Sequence, residues 1–72
     1  MNTIILGTSI KTTHDVEIVS KFLNSHGGIM RWSIDLLDWE RVLKIVALNT
    51  IKYEEVENLL NRAGYNTYEL AD

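Results

Sequence analysis

Six segments in the order β-α-β-β-α-β predict an α+β domain, with two helices layered on one face of a four-stranded antiparallel sheet. Three observations carry this. Residues 29–48, IMRWSIDLLDWERVLKIVAL, alternate like two strands around a short connection. Helical stripes flank that hairpin, in residues 14–25 before it and from Asn49 onward after it. A further apolar alternation opens the chain and a shorter one closes it. This order is the ferredoxin-like split βαβ arrangement. With 72 residues, a single domain spans 1–72, and a domain of that size buries roughly 60% of its unfolded surface.

The first strand is expected over 3–10, with Ile4, Leu6, Thr8 and Ile10 on one face and Ile5, Gly7 and Ser9 on the other. A glycine inside a strand marks a bulge or the close approach of another backbone, so Gly7 is placed there. Thr12 or Thr13 is the expected N-cap of the first helix, and Asp15 and Glu17 suit its positive end. Val16, Val19, Phe22 and Leu23 form its apolar stripe. His26-Gly27-Gly28 is expected to end it, because glycine readily takes the left-handed cap conformation.

In the hairpin, Met30, Trp32, Ile34 and Leu36 alternate with Arg31, Ser33 and Asp35. Leu43, Ile45 and Ala47 alternate with Val42, Lys44, Val46 and Leu48, so the second strand is apolar on both faces around one lysine. Such a strand belongs in the middle of a sheet or under a cover. The turn Leu37-Asp38-Trp39-Glu40 has no Asn-Gly or Asp-Gly to fix its type. Its Trp39 either folds back over the sheet edge or stands out as a contact residue. Thr50 is the expected cap of the second helix, whose stripe is Tyr53, Val56, Leu59, Leu60 and Ala63. Gly64 stops it. Residues 65–70 form the last strand, with Tyr68 and Leu70 expected inward.

Composition removes several function classes. The chain has no cysteine, hence no disulfide and no thiolate chemistry. Net charge is −3 with seven basic residues scattered singly, so the basic stripe of a nucleic-acid binder is missing. No run approaches the roughly 18 apolar residues of a membrane span. The opening MNTIILGTSI lacks a basic n-region and a small-residue cleavage site, which makes the cytoplasm the expected location.

Taken together, the chain resembles the small heavy-metal-associated domains of copper chaperones and metal-transporting ATPases, over nearly its whole length. The residues that carry the resemblance are Val16, Val19 and Leu23, the loop Gly28-Ile29, Ile34 and Leu36, and Gly64-Tyr65. In that family the first strand ends in Met-x-Cys-x-x-Cys. Carried across, the Met falls on Ile10 and the two metal-binding Cys fall on Thr12 and Asp15. The resemblance therefore implies the fold and denies the metal chemistry, since Cu(I) prefers soft sulfur and these are hard oxygen donors. No cofactor is expected.

His14 and Asp15 remain weak candidates for a hard or borderline cation beside Thr12. His26 cannot join them, lying about 18 Å away along the helix. The plainer reading makes Thr12 and Asp15 capping groups and leaves His14 in water. The amides of the same helix start offer donors to a small anion, with only Lys11 in support. Ser9, Ser20, Ser25 and Ser33 lack a His-acid pattern, and a bare four-stranded layer offers little concavity, so no enzyme is expected.

The other candidate is the outer sheet face, with Ile5, Arg31, Ser33, Asp35, Val42, Lys44 and Val46, to which Trp39 is added as a contact residue. Apolar groups rimmed by opposite charges can pair across a two-fold axis. Scattered surface Ile and Val can equally be without consequence. The reading that follows is a non-catalytic interaction module acting through its sheet face, by self-association or by docking a protein partner. One alternative is a metal carrier with an altered site at Thr12, His14 and Asp15. Another is a small-ligand sensor like the amino-acid-binding ACT domains.

Overall fold

The structure, a computed structural model, describes residues 1–70. Its elements are β1 (Asn2–Thr8), α1 (Thr13–Asn24), β2 (Ile29–Asp35), β3 (Val42–Ala47), α2 (Tyr53–Arg62) and β4 (Thr67–Glu69). The sheet is antiparallel with strand order β2-β3-β1-β4, so both helices cover one face and the expected α+β, ferredoxin-like βαββαβ fold is the observed one. β3 is central, as its two apolar faces require. β2 and β4 are the edges.

The inner face of the sheet supplies Ile4, Leu6, Leu43, Ile45 and Ala47, and the helices supply Val19, Leu23, Val56, Leu59 and Leu60. Ile10 and Ile51 complete the cluster from the loops. Each large side chain buried this fully contributes about 1.5–3 kcal/mol against leaving it in water.

Several local expectations are corrected. β2 carries a register shift between Ile29, which faces Ala47, and Arg31, which faces Val46. The extra residue is Met30, which is therefore 58% exposed, and Ile29 takes its place against the core. Trp32 and Ile34 keep the inward side. Neither Gly27 nor Gly28 has a positive φ; α1 ends on Ser25 in an ordinary right-handed conformation. What demands glycine at Gly28 is space, because an added Cβ would lie 2.6 Å from Ile51 Cδ1. Only Gly64, with φ of 100°, uses glycine's freedom, and it does end α2.

The cap of α2 is Lys52, without a side-chain bond, in place of Thr50. Ile51 is buried and its carbonyl accepts from Asn2 Nδ2 at 2.8 Å, so the core and β1 set where the helix begins. β4 is only three residues long, and Tyr68 faces outward: it pairs with Gly7 and its ring lies over that residue. The close neighbour of Gly7 is thus an aromatic ring instead of a backbone. Leu70, past the end of β4 and half-buried, donates its N–H to the Ile5 carbonyl and is not among the apolar residues packed on the core.

Candidate functional site

The loop between β1 and α1 is built as a closed cap. Thr12 is extended, and its Oγ1 accepts the Asp15 N–H at 3.1 Å. Asp15 Oδ2 accepts in return from the amides of Thr12 at 3.1 Å and Lys11 at 3.0 Å. This reciprocal capping box satisfies helix-start donors that would otherwise be unpaired. Tyr65, arriving from the α2–β4 connection, donates its hydroxyl to Asp15 Oδ1 at 2.7 Å. Both carboxylate oxygens are engaged.

The electrostatics follow from these bonds. The Tyr65 hydroxyl first, then the Lys11 amide, hold the Asp15 carboxyl below its ordinary range. The same bond to the Asp15 carboxylate pushes the Tyr65 phenol up. The bond from Tyr65 to Asp15 escaped the reading of the sequence because the two lie 50 residues apart, and no local pattern marks such a pair.

Of the weak cation candidates, Thr12 and Asp15 are brought together as capping partners, and His14 stands exposed beside them. Among the described residues no group of three or more His, Cys, Asp or Glu is placed to hold a metal ion. His26 sits at the far end of α1, where its Nδ1 accepts the Gly28 N–H at 3.0 Å. That bond leaves the proton on Nε2, which lies 2.6 Å from Glu55 Oε2 and ties the α1–β2 loop to α2.

The outer face gathers the residues the alternation assigned to it. Across the strands, Arg31, Val46 and Thr3 form one row, and Ser33, Lys44 and Ile5 the next. Asp35 faces Val42, and Tyr68 covers Gly7. Ile5, Val42 and Val46 are half-buried; Arg31, Ser33, Asp35 and Lys44 are exposed. A shallow concavity of about 240 Å³ lies between β2 and β3, lined by Arg31, Trp32, Ser33, Lys44 and Val46. Among the described residues neither Arg31 nor Lys44 enters an ion pair.

Trp39 does not belong to this face. It stands on the β2–β3 turn, 84% exposed, beside Leu37 at 98%, so the indole does not fold back over the sheet edge. The turn is held by Asp35 Oδ1, which accepts from the Leu37 and Asp38 amides at 3.0 and 3.3 Å. Arg41 closes it in the left-handed region, φ 50°, with its guanidinium on the Leu36 carbonyl and its own carbonyl accepting from Thr8 Oγ1 at 2.7 Å. Burial, and then Glu40 beside its hydroxyl, push the Tyr68 phenol up.

No family model matches the chain, and no curated protein does. Solved structures do. A copper-binding domain from HMA7, a P-type ATPase, superposes with a TM-score of 0.84 at 25% identity, covering 99% of this chain and 96% of that one. A chain of the Atx1–Cu(I)–Ccc2a complex gives 0.84 at 14% identity, with coverage of 100% and 99%. The N-terminal domain of PacS from Synechocystis PCC6803 gives 0.81 at 12% identity, with coverage of 99% and 100%. The chain is therefore like heavy-metal-associated domains in fold, and it has no cysteine.

Proposed function

We propose that this domain is a non-catalytic interaction module that meets a protein surface through the outer face of its sheet. The observation that carries the proposal is the state of the β1–α1 loop. At the two positions the resemblance assigns to metal-binding cysteines stand Thr12 and Asp15, whose side-chain oxygens are spent on each other's amides and on Tyr65. Those are hard donors already in use, and Cu(I) selects soft ones. What the fold keeps is a surface: half-buried Ile5, Val42 and Val46 with exposed charges around them. That this fold can dock proteins is supported by its neighbour from the Atx1–Cu(I)–Ccc2a complex.

The test is an anaerobic competition for Cu(I) against a chromophoric chelator. The domain is expected to withdraw no Cu(I), and Asp15→Ala to change nothing in the assay. Stoichiometric withdrawal that disappears in Asp15→Ala would make the loop a metal site and overturn the proposal.

A further inference from the structure

The sheet leaves β2 with one neighbour, so its other side is an open edge of unpaired backbone groups. The bulge at Met30 breaks the regular pleat at one end of the strand. At the other end Asp35 turns the chain away by accepting the Leu37 and Asp38 amides. What remains straight is Arg31 to Asp35, a short run centred on Ser33.

We infer that a second copy of this chain joins this one along the β2 edges in antiparallel register about Ser33, with Arg31 of each copy facing Asp35 of the other on the outer side of the joined sheet. The inference goes beyond the reading of the outer face as a docking surface, since edge pairing runs the two outer faces into one continuous surface. In this register Ser33 meets Ser33 on the axis and Trp32 meets Ile34 on the inner side. Side chains directly opposite lie about 4.5–5.5 Å apart at Cβ, within reach of an ion pair. Charge selects the register. Centring the pair on Arg31 or on Asp35 sets like charges face to face, centring it on Trp32 leaves Arg31 opposite Ser33, and centring it on Ile34 leaves Asp35 opposite Ser33.

The surroundings fit the incoming carboxylate. Among the described residues Asp35 Oδ2 accepts no hydrogen bond, since the turn uses Oδ1. Arg31 and Lys44 line the same shallow concavity and neither is paired within its own chain. Each copy carries a net charge of −3, so two copies repel at a distance. A local cationic recess that takes the other copy's carboxylate offsets this where they touch.

Sedimentation velocity on the full chain at low salt tests the inference. The wild type is expected to self-associate, and more weakly as salt rises. Arg31→Glu and Asp35→Arg should each weaken association roughly ten- to thirtyfold, because both ion pairs become like-charge contacts. An equimolar mixture of the two variants should associate again, each supplying the charge the other needs. Ser33→Arg keeps the Asp35 turn intact and sets two cations together on the axis, so it must also abolish association.

Wild-type protein that stays monomeric at every concentration overturns the second copy, while leaving the face open to a different partner. Association that survives Arg31→Glu and Ser33→Arg but is lost in Val46→Glu overturns the edge register and keeps the face. Association indifferent to all of these overturns both.

Discussion

Gly28→Ala probes the packing that positions the second half of the fold. An added Cβ would sit 2.6 Å from Ile51 Cδ1 and 2.9 Å from its Cγ1, with His26 Cε1 at 3.2 Å. Ile51 is in the core and cannot swing into solvent without exposing itself. Overpacking of this kind costs about 1–3 kcal/mol. The alanine returns about 0.4–1 kcal/mol by restricting the unfolded chain. The net loss, centred on ~1.3 kcal/mol, lowers Tm by roughly 5–10 °C in a domain of this size. Gly27→Ala is the control: nothing lies within 4 Å of its Cβ position, so stability should hold or rise by up to about 1 kcal/mol. Ile51→Val removes the nearer clashing atom, so in the Gly28→Ala background it should cost less than its usual ~0.5–1.5 kcal/mol, or recover stability. Urea unfolding of the four species closes the cycle. Strict additivity, or stabilisation by Gly28→Ala, would refute the steric account.

Three further outcomes are expected. Tyr65→Phe should lower Tm at neutral pH, and its deficit should shrink on both flanks. Asp15, whose folded pKa is depressed, contributes stability above about pH 4 that is lost as pH falls through the folded value. Tyr65, whose folded pKa is raised, contributes below about pH 10 and loses it as pH climbs through the folded value. A deficit constant with pH in thermal scans would contradict the Asp15–Tyr65 bond. Thr67→Val should stabilise by up to about 1 kcal/mol in urea unfolding, because among the described residues the buried Thr67 hydroxyl has no partner; a loss would mean that the hydroxyl is bonded. Trp39→Ser should change stability by less than about 0.5 kcal/mol, as the indole is 84% exposed, and should remove the red-shifted part of the fluorescence.

The sequence made the element order and the core legible because both depend on short-range periodicity. Thr12 was readable as a cap for the same reason: a threonine followed three residues later by an acid is a local signal. The misses share a tertiary cause. Met30 sits on a bulge that exists only relative to β3, and the alternation around it looks unbroken in one dimension. Thr50 loses the cap because burial of Ile51 decides where α2 starts. Tyr68 faces outward because the strand starts at Thr67 and Gly7 leaves a bare patch of sheet for the ring. Of the site, the outer-face residues followed from alternation, whereas the bond that seals Asp15 joins residues 50 apart.

Amide chemical-shift spectra of labelled protein, recorded over a dilution series and again after adding Cu(I) under reducing conditions, separate an interacting sheet face from a metal-binding loop. Concentration-dependent shifts are expected on Arg31, Ser33, Lys44 and Val46, and none on Thr12, His14 or Asp15 when Cu(I) is added. Shifts confined to that loop on adding Cu(I), with a silent sheet face at every concentration, would contradict both expectations.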